Sequence, residues 1–129
     1  MKPGSLILLL FMLLSLSHLS AQETSDTIVF DLKNDTTEYQ LIIIDIGFES
    51  WLATQKPVDY YSNEYLRTWN IRYVTEWNYL YNSGRYPEYI GSYVNYRSDT
   101  DYGIELNYKL YSYFQFFEEK YKITLIQRR

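Results

Sequence analysis

The pattern of apolar and polar positions changes period several times along the chain, and each change marks an element. Leu6 to Leu16 is an apolar run broken only by Ser15, with Lys2 ahead of it and the small pair Ser20-Ala21 behind. A basic start, a short apolar stretch and small residues before a cleavage point make a secretory signal peptide, and the run falls short of the roughly 20 residues that span a bilayer. We therefore expect residues 1–21 to be removed on export. Residues 22–38 form an N-terminal segment in which Thr27 to Leu32 reads as an edge strand and Asn34-Asp35-Thr36-Thr37 as a turn. Leu41 to Ile46 is isoleucine-rich; branching at Cβ favours a pleated strand, and apolar residues on both faces predict that both are covered. Gly47 breaks this strand, and Phe48 to Ala53 reads as a turn or short helix that returns Trp51 and Leu52 to the sheet.

A helical period then takes over. Between Asn63 and Asn82, Leu66, Trp69, Tyr73, Trp77 and Leu80 recur at spacings of three and four, Ser62 is placed to cap the start, and Ser83-Gly84 stops it. Arg72 and Glu76, four apart, are expected to pair on its surface, and Asn70 falls inside the apolar arc. Ser92 to Arg97 alternates loosely, as a third strand or as an irregular tyrosine-rich loop. Asp99 and Asp101 precede a last helix over about Tyr102 to Lys122, whose main stripe is Leu106, Leu110, Tyr113, Phe114, Phe117 and Tyr121. Its opposite side carries Ile104, Tyr108, Tyr111 and Phe116, and a helix apolar nearly all round is either sandwiched or has a partner. Residues 123–129 form a basic tail expected to fray, with Ile123 to Ile126 as a short final strand. The predicted fold is α+β: a small, mainly antiparallel sheet packed against two long aromatic-rich helices, within a single domain over residues 39–122.

Composition narrows the chemistry. The chain has 129 residues, 12 Lys+Arg against 16 Asp+Glu, a single His and no Cys. His18, Met1, Met12 and Lys2 all lie within residues 1–21, so the remainder has no histidine, methionine or cysteine, and its net charge moves from −4 to −5. The acidic balance argues against nucleic acid or anionic lipid as partner. The missing side chains exclude disulfides, thiol redox chemistry, covalent c-type haem, zinc held by nitrogen and sulfur, and any Ser-His or Cys-His nucleophile. No cofactor and no metal site is implied: Asp99-Thr-Asp-Tyr-Gly103 places glycine where a calcium loop needs an oxygen ligand.

Tyrosine dominates what is left, with 16 in the chain and 15 of them between Tyr60 and Tyr121. Such rings either fill a leucine-poor core or form a stacking platform or a sticky interface. Trp51, Trp69, Trp77, Tyr108 and Tyr111 are the candidate aromatic binding residues, with Asp45, Glu49, Arg72 and Glu76 as their polar counterparts. Asp45, Glu49, Glu76 and Asp101 would be the acids of a carboxylate-based hydrolase, which needs two of them facing each other across a cleft; a structural role for Asp45, capping the turn or pairing with Arg72 or Arg85, is the competing reading.

Three blocks of residues carry a resemblance. They are Ile43-Ile-Asp45 with Gly47-Phe-Glu-Ser-Trp-Leu-Ala-Thr54, then Arg72-Tyr-Val-Thr-Glu-Trp-Asn-Tyr79, then Asp101-Tyr-Gly103 with Glu105-Leu-Asn-Tyr-Lys-Leu-Tyr111. Together they resemble an uncharacterised family of small exported proteins from Gram-negative bacteria, over about Tyr39 to Tyr121; relatives often carry proline where this chain has Ile46. The resemblance implies export and brings no activity or catalytic residue. The expected function is accordingly a noncatalytic envelope protein, periplasmic or secreted, that binds a protein partner or itself through the unused aromatic side of the last helix. A glycan-binding module using the tryptophans and neighbouring tyrosines is the alternative, and the hydrolase is the third.

Overall fold

The structure, a computed structural model, describes residues 28–32 and 39–128. The expected signal peptide and the turn at 34–37 lie outside the described residues. Strand β1 (Ile28–Leu32) pairs antiparallel with β2 (Tyr39–Ile43), with Ile28 opposite Ile43 and Leu32 opposite Tyr39. A short helix α1 (Phe48–Leu52) follows, then a single 3-10 turn (Val58–Tyr60) and two long helices, α2 (Asn63–Asn82) and α3 (Ile104–Tyr121). Among the described residues no helix is long and apolar enough to cross a membrane.

The two long helices pack on each other and set the core. Ser62 begins α2 as its sequence suggests, its hydroxyl accepting from the Tyr65 amide at 3.1 Å, which satisfies one of the free amides of the first turn. At the other end Gly84, at φ +67°, allows the closing pair of bonds from Gly84 N–H to Tyr81 C=O and from Arg85 N–H to Leu80 C=O. The centre of the bundle is aromatic. Trp77 packs against Tyr113, Phe114 and Phe117, and Tyr73 stacks on Phe114 at 5.2 Å and 12°.

The helices dominate, and the expected sheet layer is reduced to a two-stranded ribbon at their edge. Leu41 is buried, but Ile42, Ile44 and Ile46 are 42, 58 and 91% exposed, so the expectation of a strand covered on both faces is corrected. A run of β-branched residues specifies extended backbone, not depth; here the long helices satisfy each other, and β2 meets α3 on one side only. Residues 92–97 add no strand, yet they keep a period of two: Ser92 and Val94 are buried and Tyr93 and Asn95 exposed. Their ladder partner is a side chain. The buried amide of Asn78 donates to Val94 C=O at 2.9 Å and accepts from Val94 N–H at 2.8 Å, Trp77 Nε1 donates to Ser92 C=O, and Ser92 Oγ donates to Ile28 C=O.

Two further expectations change. Both sides of α3 are covered: Tyr111 and Phe116 are buried along with the main stripe as far as Phe117, and Ile104, Tyr108 and Tyr121 are half-buried against the core, leaving no unused aromatic side. The C-terminal segment does not fray. Lys122, at φ +56°, turns the chain back, Ile123 and Leu125 are buried, and the Glu118 carboxylate accepts from the amides of Leu125 at 2.7 Å and Ile126 at 3.3 Å.

Candidate functional site

Three groupings of polar and aromatic side chains stand out. The first is built on Asp45, at the exit of β2, where the left-handed Gly47 (φ +91°) reverses the chain into α1. The turn points the Asp45 carboxylate inward, leaving its side chain 4% exposed. It accepts from Tyr113 Oη at 3.0 Å, from Tyr121 Oη at 2.9 and 3.0 Å, and from Lys120 Nζ at 2.6 Å, while Lys120 also donates to Ile46 C=O. Burial, then the neighbouring carboxylate, holds the Tyr113 phenol far above its usual range; Tyr121 moves the same way for the same reasons. The hydrogen bond to Asp45 raises Lys120. With these donors in place, the carboxylate is fully engaged and the cluster joins the β2–α1 turn to the end of α3.

The second grouping lies where the C-terminal strap crosses α2 and α3. Tyr65, Trp69 and Tyr73 follow one another along α2 at four-residue spacing, and Tyr111 of α3 closes the circuit. Ring centroids are 6.4 Å apart for Tyr65–Trp69, 6.1 for Trp69–Tyr73, 6.4 for Tyr73–Tyr111 and 6.0 for Tyr111–Tyr65. The Arg128 guanidinium sits 3.7 Å from the Trp69 centroid, 5.3 from Tyr111 and 5.6 from Tyr73, and donates to Tyr111 Oη at 2.9 Å. Arg72 lies over the same indole at 4.6 Å, in place of the expected pairing with Glu76. Burial raises both Tyr73 and Tyr111. Beside this circuit, Tyr60, Tyr61, Ser62 and Tyr65 line an open hollow of about 450 Å³.

The third is a run of exposed rings, Tyr79, Tyr81, Tyr86, Tyr89 and Tyr93, at the end of α2 and along the segment after it. Tyr81 and Tyr93 meet edge-on at 6.4 Å. The backbone beneath them is fixed by the bonds from Trp77 and Asn78 and by the buried Ile90 and Val94.

The candidate residues are spread over these and other settings. Trp77 is fully buried and offers no face to a ligand. Trp51 is half-buried against Phe48 and Phe116 and donates to Glu119 at 3.0 Å. Glu49 pairs with Lys109 at 3.2 Å, and both line a cavity of about 290 Å³ with Tyr39, Leu41, Leu106 and Tyr108. Tyr108 donates to Lys56 C=O. Glu76 lines a shallow groove between α2 and the strap with Arg72 and Leu125. The hydrolase constellation does not assemble: Asp45 and Glu49 are each bound to a lysine, and Asp101 accepts from the amide of Gly103 just before α3. The pairing partner of Asp45 is Lys120, not Arg72 or Arg85. Among the described residues no group of three or more acidic, His or Cys side chains is placed to hold a metal ion.

Arg128 and Lys120 are the residues that sequence reading missed. Each lies far along the chain from its partners, and a lone cation at the end of an aromatic helix or in a basic tail gives no sign of where it returns.

The fold and these groupings define a small protein built on two long packed helices with an aromatic core, closed by a strand ribbon on one side and a C-terminal strap on another. The chain belongs to a family of unknown function (DUF6146), whose profile matches residues 5–128. Comparisons with curated proteins and with solved structures return no match.

Proposed function

We propose that this is an exported, noncatalytic envelope protein that binds a protein partner through the tyrosine surface of residues 79–93. The observation that carries this reading is five exposed tyrosines on a backbone held by Trp77, Asn78 and two buried aliphatic residues. Tyrosine offers large contact area for little lost rotamer entropy, and a frame already rigid before binding lowers the ordering cost further. This moves the interaction surface away from α3, whose rings are occupied within the fold. Export rests on the signal-like pattern of residues 1–21, with a periplasmic or secreted product beginning at Gln22.

The test is site-specific photo-crosslinking in the native host, with the reactive residue at position 93 or, as a control, at the exposed Thr124 of the strap. A discrete adduct from position 93 that disappears in Y81S, together with N-terminal sequencing that starts at Gln22, is the expected result. Equal adducts from both positions, or none from 93, would end the proposal. The tyrosine hollow of Tyr60, Tyr61, Ser62 and Tyr65 favours glycan binding as the second reading, with the stacking residues there and not at Trp77. Cell-wall fragments that quench none of the tryptophan fluorescence would remove it.

A further inference from the structure

The circuit of Tyr65, Trp69, Tyr73 and Tyr111 is an aromatic enclosure that already contains a cation, and the cation belongs to the chain itself. We propose that this enclosure is a binding site for an arginine side chain of a partner, kept filled by Arg128 until a competing guanidinium displaces it. Trp69, Tyr73 and Tyr111 hold the guanidinium carbon 3.7, 5.6 and 5.3 Å from their ring centroids, within the range at which ring faces attract a cation, and Tyr65 completes the circuit of rings. The occupant's geometry specifies the ligand further. Arg128 stacks on Trp69 at 3.7 Å and at the same time donates an N–H to Tyr111 Oη at 2.9 Å, which needs a planar group with donors in its plane. A quaternary ammonium has no N–H, and its entry would leave the hydroxyl of the buried Tyr111 without that bond. Lysine brings a point charge with no flat face for the indole.

Arg128 is itself exposed, so nothing traps it in place except these contacts and the Glu118 clasp on the amides of Leu125 and Ile126. The clasp holds the strap two residues upstream of Arg128, which allows the guanidinium to leave without unfolding the segment that carries it. The neighbouring hollow at Tyr60, Tyr61 and Ser62 shares Tyr65 with the enclosure and would take the rest of an incoming peptide. These residues are distinct from the tyrosines at 79–93, so the two proposals stand or fall separately.

The experiment uses the full chain as wild type and as R128A, titrated with N-acetyl-arginine methylamide, its lysine counterpart and tetramethylammonium, with indole fluorescence and amide NMR shifts at Tyr65, Trp69 and Tyr111 as readouts. In R128A the arginine derivative should bind saturably in the millimolar range, at least tenfold more tightly than either other cation. Wild type should respond at least tenfold more weakly, and W69L introduced into R128A should abolish the response. R128K keeps a cation over the rings and serves if R128A does not fold; the arginine derivative should then displace the lysine at lower concentration than it displaces Arg128. A folded R128A or R128K that shows no preference for the arginine derivative, or a wild type that binds as well as the variant, would overturn the proposal.

Discussion

Two ion pairs in this protein have opposite designs. Arg97 and Asp99 form a two-pronged fork, Nε to Oδ1 at 3.0 Å and Nη2 to Oδ2 at 2.8 Å, between residues two apart in a loop, both about two-thirds exposed. Lys120 and Asp45 make a single contact at 2.6 Å between residues 75 apart, with the carboxylate 4% exposed and two tyrosine hydroxyls on the same oxygens. The fork has the better pairwise geometry and holds almost nothing together, since water screens it and the chain already keeps its partners close. The Asp45 cluster joins distant segments and keeps its carboxylate away from water, with the Lys120 ammonium at the surface. What separates them is the number of other groups that would be stranded if the acid were removed.

That difference sets the order of the expected effects. D45A strands the Tyr113 and Tyr121 hydroxyls, while the exposed Lys120 ammonium keeps Ile46 C=O and water, and a loss of about 2–4 kcal/mol is expected from the usual cost of unpaired buried donors and of bonds to a charged acceptor. Y113F removes one donor and leaves the acid satisfied by the others, so it should cost about 1 kcal/mol. Urea denaturation of the two variants measures the contrast. Equal losses would mean that the Tyr113 bond carries the whole stabilisation and that removing the acid strands nothing else.

The tyrosines of this cluster and of the aromatic circuit give a pH dependence with a definite sign. Burial raises Tyr113, Tyr121, Tyr73 and Tyr111 in the folded protein above the value of 10.0 that free tyrosine shows. Above pH 10 the unfolded chain releases these protons more readily than the folded one, so unfolding is favoured as pH rises. The contribution is therefore complete below pH 10 and lost as the pH climbs from there through the folded values. Lys120, raised from 10.5, acts in the same direction. Tyrosinate absorbance followed alongside far-ultraviolet circular dichroism should show a step in which ionisation and loss of helix coincide. Ionisation of every tyrosine with the helices intact would show that the burial of these hydroxyls is unimportant to stability.

The sequence revealed the helices and concealed how they are tied down. Helix α2 has the expected ends because its signals are local: a serine hydroxyl three residues from the amide it caps, and a Ser-Gly stop. Its buried face was legible to within one position of rotation. Trp69 lies at the edge and is only half-buried, while Asn70 and Asn78 are buried, because each asparagine reaches a backbone group on another segment, Asn107 C=O and Val94. A hydropathy pattern scores them as surface residues, whereas the interior accepts each through the bond that its amide nitrogen donates to a backbone carbonyl. The isoleucine strand failed in the opposite sense, since its pattern predicts burial that only a second covering layer could supply. The aromatic enclosure was half legible: Trp69, Arg72 and Tyr111 stand out in the sequence, but their meeting with Arg128 depends on the left-handed turn at Lys122, which no local residue type announces.

The smallest effect belongs to the fork, and it sharpens the comparison most. The hydrogen bonds from Arg97, followed by its charge, draw Asp99 down to about 2 from 3.8. For an acid depressed in the folded state, any stabilisation is present above the unfolded value and disappears as the pH falls toward 2. The shift is large on its own terms, yet both side chains remain in water, where the Coulombic part is screened and the entropy of holding two flexible groups offsets the rest. D99N should therefore leave the denaturation midpoint unchanged at neutral pH while abolishing the low-pH titration seen by NMR at this position. In wild type, raising the salt from low to molar concentration should move the Asp99 titration back toward 3.8 without altering stability. A destabilisation by D99N comparable to that of D45A would show that this loop, and not the buried cluster alone, holds α3 in register with the segment before it.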